Sequence, residues 1–166
     1  SDASVRKWLL MSNIQGMTDF DAIKALMPQL VPFVATLKIE YGELDGTTAV
    51  CVLRDEPAFH NHVGGLHAGA MFTLAETASG ALVIGNFEDL IATGVTPLAA
   101  TATIDYTRLA RGDVTATAVL GRPADEIRAE LAETGRTTQF PVQVTLGTAD
   151  GETARMTISW ALRPPR

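Results

Sequence analysis

Between His67 and Phe87 the chain places apolar or small residues on nearly every face of a helix: Ala70, Met71, Leu74, Ala75, Ala78, Ala81, Leu82 and Ile84. A helix that is apolar almost all round must be buried almost all round. In a chain of 166 residues, one domain by the usual size range, only a sheet that curls about the helix can bury it so fully. Small residues at Ala68, Gly69, Ala70, Ala75, Ala78, Gly80 and Ala81 let strands come close to its axis. The segment therefore predicts a central helix of roughly five turns, and the rest of the chain must supply the sheet.

The strands are legible as two-residue periods. From Thr36, Leu37, Ile39 and Tyr41 alternate with Thr36, Lys38 and Glu40, and Asp45-Gly46 signals a hairpin into a strand over 47–54. Residues 55–66 carry Pro57, Asn61, Gly64 and Gly65 and read as a loop. Further strands are predicted over 100–108, 114–120, 139–148 and 153–162, with turns at Gly112-Asp113 and Asp150-Gly151. Between the middle two, 123–136 reads as a surface helix. Pro123 fits its first position, Asp125 and Glu126 favour its dipole, and Gly135 fits its C′ site. The element order predicts an α+β fold, a mainly antiparallel sheet of about six strands wrapped around a long central helix.

Residues 1–34 are expected to form an N-terminal helical segment packed on a domain over 35–166. Ser4 would cap a turn over 5–10, and Thr18 with Asp21 resembles a weak capping pair. Phe20, Ile23, Leu26 and Met27 then recur at helical spacing, with Pro28 and Pro32 expected to kink or end that helix before Phe33.

Composition narrows the function. With 13 Lys+Arg against 19 Asp+Glu, the formal net charge is −6, which lacks the basic footprint of a nucleic-acid binder. Apolar stretches broken by Thr, Gly and Pro are read as short of the ~18 residues of a membrane span. The start Ser1-Asp2-Ala3-Ser4 shows no secretory pattern, and the single Cys51 suits a reducing cytoplasm, the expected location. Cys51 lies in the apolar run Ala49–Leu53 and reads as a small core residue.

Chemistry concentrates where the 55–66 loop enters the long helix. A Gly-rich loop allows close approach of a ligand, and the first helical N–H groups suit a developing oxyanion. Glu76 stands nine residues after His67 in an otherwise apolar helix, where burial should raise its pKa. Asn61, six residues before His67, supplies an amide able to bind water or a carbonyl. Plainer readings stay open: Glu76 reaching solvent or an Arg, and His67 merely bonding the loop. His60, His62 and His67 invite a metal, but no Cys or Asp completes a set, so neither metal nor cofactor is expected. Gly64-Gly65 and Gly69 do not make the dinucleotide fingerprint, and no nucleophile elbow is present.

These residues resemble the hotdog-fold acyl-CoA thioesterases of the phenylacetyl-CoA-thioesterase-like superfamily, or a close hotdog family of unassigned function. That signature is an Asn, a His-Gly-Gly six residues on, and Phe-Thr-Leu-Ala-Asp along the helix. Here it is matched by Asn61, His67-Ala68-Gly69 and Phe72-Thr73-Leu74-Ala75-Glu76. A second run, Tyr106-Thr107-Arg108-Leu109-Ala110-Arg111-Gly112-Asp113 ending at Gly121-Arg122, matches the family's other motif. The resemblance covers about residues 35–163.

It implies hydrolysis of a hydrophobic or aromatic acyl-CoA at the interface of a homodimer, with a homotetramer built as a dimer of dimers the other assembly open to the chain. Glu76 would be general base or nucleophile, and the Ala68 N–H would polarise the thioester carbonyl. Asn61 would orient water or carbonyl, and His67 would support the loop or the thiolate side. Gly69, Phe72, Arg108 and Arg111 would bind substrate, with Arg122 joining a basic rim for the CoA phosphates. Glu76 stands where Asp is commoner, Ala68 replaces a Gly, and Thr73, Thr77 and Ser79 are candidates for a helix hydroxyl that some members supply. A non-catalytic acyl-CoA-binding sensor is the alternative; a hotdog dehydratase would need a His-Phe-Pro-Gly-like loop that this sequence lacks.

Overall fold

In the computed structural model, residues 19–165 are described. Asp19 caps helix α1 (Phe20–Leu30) by accepting the Ala22 N–H at 2.9 Å. The expected partner Thr18 and the turn over 5–10 lie outside the described residues. Pro28 is carried inside α1, which ends at Leu30, before Phe33 as expected; Val31 breaks the helix ahead of Pro32, and Pro32 opens a second short helix, α2 (Pro32–Thr36). Lys38 then takes a φ of 54°, and strand β1 (Glu40–Leu44) starts four residues later than the alternation from Thr36 suggested. Two of the apolar residues that produced that alternation follow the helix end instead, Leu37 packed against the core and Ile39 buried.

Asp45 closes the hairpin to β2 (Thr48–Leu53) by accepting the N–H groups of Thr47 and Thr48 at 2.7 and 2.8 Å. A 3₁₀ turn (Pro57–Phe59) interrupts the following loop, which delivers the chain to α3 (Ala68–Ala92). Then come β3 (Thr96–Tyr106), β4 (Val114–Leu120), α4 (Ala124–Thr134), β5 (Thr138–Thr148) and β6 (Gly151–Arg163). All neighbouring strands pair antiparallel, in the order β1-β2-β4-β5-β6-β3. The connection from β2 through α3 to β3 joins the two sides of the sheet, so α3 lies across the face that the sheet wraps.

Alternate residues of the middle strands turn toward α3. Ala49, Cys51 and Leu53 do so on β2, and Val114, Ala116 and Ala118 on β4, all buried. The small residues set the spacing: a Cβ at Gly80 would sit 3.4 Å from the Trp160 ring. Trp160 donates its Nε1–H to Ser79 Oγ at 3.0 Å, which satisfies both groups inside the core. α3 runs five residues past Phe87, whose φ of −127° marks a kink. Contrary to the sequence expectation, its length and apolar composition would suit a membrane span. Its enclosure by the sheet accounts for that composition.

β3 departs from the expected pattern of one wet face: from Ala99 to Thr103 both faces are exposed. It is an edge strand paired only with β6. At α4, Pro123 is the cap rather than the first helical residue, and Gly135 ends the helix with a φ of 60°.

Candidate active site

The loop before α3 is shaped by Asn61. Its Oδ1 accepts the N–H groups of Val63 and Gly65 at 3.0 and 3.1 Å, while its Nδ2 donates to the Leu66 carbonyl at 3.3 Å. The loop is pinned on both sides, by Leu66 N–H to the Ala110 carbonyl at 2.9 Å and by His67 N–H to the Phe59 carbonyl at 2.8 Å. A Cβ at Gly65 would fall 2.6 Å from that Ala110 oxygen, so the glycine is needed for the close approach.

A charged brace stands behind. Asp55 accepts the Gly112 N–H at 2.8 Å and bonds His60 Nε2, and Asp113 accepts the Asp55 N–H at 2.8 Å and pairs with Arg54. The His60 bond chiefly holds the Asp55 carboxyl below its ordinary range, and the Asp55 N–H does the same for Asp113. This brace explains the chemistry of the Arg111-Gly112-Asp113 run in loop-building terms.

His67 caps α3 in an extended conformation, its Nδ1 accepting the Gly69 N–H at 2.9 Å. In the neutral ring the proton is therefore on Nε2. A Cβ at Gly69 would come within 3.1 Å of Nδ1, so this cap favours glycine there. The N–H of Ala68, first in the helix, has no intrahelical acceptor and no bond among the described residues. Tyr106 Oη donates to the Ala68 carbonyl at 2.9 Å and steadies the start of the helix.

Two cavities flank this helix end. One, about 490 Å³, is lined by Phe33, Leu37, Phe59, His60, His67 and Thr73 among others. The other, about 340 Å³, takes in Asn61, Ala68, Met71, Tyr106 and Arg108.

Glu76 lies on the same side of α3 as Gly69 and Thr73, seven and three residues before it. It is half-buried, burial alone raises its pKa, and among the described residues no hydrogen bond or ion pair reaches its carboxylate. The arginine partner entertained from sequence is not there. Phe72 is half-buried against the core. The nearby hydroxyls are committed to backbone: Thr73 bonds the Gly69 carbonyl, Thr77 that of Thr73, and Ser79 that of Glu76.

The structure thus brings Asn61, His67, Ala68 and Gly69 together and leaves Glu76 along the helix. Eight residues separate Ala68 from Glu76, roughly 12 Å along the axis. The arginines do not gather. Arg108 donates to the Asp150 and Glu152 carbonyls and clamps the β5–β6 hairpin, and Arg122 pairs with Glu130 at 2.8 Å. Arg111 makes one long bond, 3.4 Å, to the Val63 carbonyl. Sequence reasoning missed Tyr106 as a support of the helix start, although it heads the second motif, and missed Asp55, which no motif marks. Among the described residues, no group of three or more His, Cys, Asp and Glu is placed to hold a metal.

The six-stranded sheet around one long helix is the hotdog fold, and solved structures share it. A Pseudomonas aeruginosa protein of unknown function, described as a probable thioesterase, superposes with a TM-score of 0.76 at 24% identity, covering 89% of this chain and 97% of its own. A thioesterase family protein from Silicibacter pomeroyi gives 0.69 at 19% identity, covering 89% and 100%. A point mutant of the phenylacetic acid degradation protein PaaI from Thermus thermophilus gives 0.59 at 21% identity, covering 80% and 99%. The sequence matches no curated protein. The family model of a domain of unknown function, DUF4442, matches residues 21–162, and the chain belongs to that family.

Proposed function

We propose that the protein is an acyl-CoA thioesterase acting on a hydrophobic or aromatic acyl group, with its sites between two copies of the chain. The observation that carries this reading is Glu76, a desolvated carboxylate without a partner among the described residues, on the helix whose first N–H is free at its start. The similar folds of proteins described as thioesterases support it.

In this reading the Ala68 N–H donates to the thioester carbonyl and stabilises the oxyanion as the carbon becomes tetrahedral. Glu76 takes a proton from the attacking water, the C–S bond breaks, and CoA leaves as thiolate beside the Nε2–H of His67. Asn61 acts by holding the loop that presents Ala68. The apolar cavity bounded by Phe33, Leu37 and Phe59 would take the acyl chain, with Gly69 at its helix side. Of Arg108, Arg111 and Arg122, Arg111 is the least committed and would meet the CoA phosphates, while Arg108 acts through the hairpin it clamps.

In this reading a second copy brings its Glu76 to this Ala68, so that each site draws on both chains. The outer edge of β3 from Leu98 to Thr103, exposed and uncharged, invites such pairing, and a dimer of dimers can follow. A cytoplasmic setting fits a CoA substrate and one buried thiol.

The test is thiol release from short, medium, long and aromatic acyl-CoAs, with Glu76→Gln alongside. Turnover should appear on the hydrophobic or aromatic members, and Glu76→Gln should lower kcat by ~10²–10⁴. Full activity in the variant would rule out the carboxylate role. Tight binding with no turnover on any ester would leave the acyl-CoA sensor.

A further inference from the structure

Phe33 is the most exposed of the large apolar side chains among the described residues, at 58%. A single exposed apolar side chain is ordinary, but this one also lines the cavity of about 490 Å³, together with Leu37 one turn further on. The backbone holds both in place. Val34, next to Phe33, is buried in the core, and its carbonyl accepts the Ile39 N–H at 3.1 Å. Lys38 turns the chain with its φ of 54° and sets its ammonium on the Glu56 carboxylate at 2.7 Å. Glu56 leads into the 3₁₀ turn, whose Ala58 and Phe59 line the same cavity. Two short apolar segments, tied to each other by an ion pair, therefore wall the cavity.

The polar lining comes from elsewhere in the chain. His60 and His67 belong to the loop that leads to Ala68, where a bridge between His60 and Leu66 and the His67 N–H on the Phe59 carbonyl make them neighbours. We infer that Phe33 is a specificity-determining residue that sorts acyl groups by their reach. This rests on the thioesterase reading. A thioester whose carbonyl meets the Ala68 N–H runs its acyl tail through the cavity and against the Phe33 ring. Tails too short to reach the ring gain nothing from it, so the wall favours a medium-length straight chain or an aromatic acyl group over acetyl. The exposed ring is covered only when such a tail is bound. Each CH₂ buried along the wall should tighten binding about fourfold.

The experiment compares acetyl-, butyryl-, hexanoyl- and octanoyl-CoA in the wild type, Phe33→Ala and Phe33→Leu, and follows the binding of sodium octanoate to each by calorimetry. In the wild type kcat/KM should climb with chain length. Phe33→Ala should cut the octanoyl-to-acetyl ratio of kcat/KM about tenfold, with the loss in KM, and Phe33→Leu should restore most of it. Octanoate should bind Phe33→Ala about tenfold more weakly than the wild type. Tm should stay near the wild-type value in both variants, because the side chain is exposed. A structural Phe33 would lower Tm and weaken all the esters alike, and an unchanged octanoyl-to-acetyl ratio overturns the proposal. If no ester is turned over, the thioesterase reading fails and octanoate alone decides. Equal binding to the wild type and Phe33→Ala, or binding to neither, then overturns the role of Phe33.

Discussion

The two halves of α3 have the same apolar make-up and opposite polar habits. Near its C-terminal end a neighbouring helix braces it. Arg128 of α4 forks onto Asp89 at 2.7 and 2.8 Å, donates to the Asn86 carbonyl, and lies 5.3 Å above the Phe87 ring. Phe87 packs in turn on Phe140 at 5.5 Å. Near the N-terminal end, the Ala68 N–H and the Glu76 carboxylate have no partner among the described residues, and two cavities open beside the helix start. In the proposed function, these groups at one end of a helix whose other end is braced are where a ligand or a second chain completes the chemistry.

That contrast can be broken by mutation. Phe87→Ala empties a core site and should cost about 3–5 kcal/mol in urea melts, with kcat per folded molecule unchanged. A comparable loss of kcat would show that the two ends are not separable. At the other end, Ala68→Pro deletes the N–H at a first helical position, where proline is tolerated. It should cut kcat by ~10²–10³ and leave Tm near wild type. Ser79→Ala sits between the two ends and strands the buried Trp160 N–H, for an expected loss of about 1–3 kcal/mol. Equilibrium unfolding of this variant measures whether the midpoint of α3 belongs to the stability half.

The smallest effect concerns Glu76 as a stability liability. Burial raises its folded pKa, so its carboxyl adds stability below the unfolded value, and that stability is lost as pH rises through the folded value. Glu76→Gln does not titrate. It should therefore melt above the wild type at pH 7, by a few degrees at most, and the gap should close as pH falls below about 4. A wild type that melts higher at neutral pH would mean that Glu76 has a favourable partner in the folded state.

Much of the architecture was legible because periodicity reports burial. The all-round apolar pattern of 68–84 forced the enclosing sheet, and alternation located β4, β5 and β6 closely. The period misled at Thr36–Ile39, where two apolar residues finish a helix and only their spacing resembles a strand. It misled again on β3, whose alternation promised one covered face that a single chain does not provide. At the site, Glu76 and the Ala68 N–H stood out as expensive groups in an apolar helix. The arginines did not, because a charge says nothing of its partners: Arg108 and Arg122 are spent on carbonyls and Glu130.

The central claim is that each chain carries two halves of different sites. The direct measurement is thiol release from Glu76→Gln and Ala68→Pro, each alone and after unfolding and refolding as an equal mixture. In a two-fold dimer that draws Ala68 from one copy and Glu76 from the other, both variants are inactive alone. The mixture should regain about a quarter of wild-type activity, because about half of its dimers hold one intact site. A mixture as inactive as its components would place both groups of each site on one chain and contradict the account.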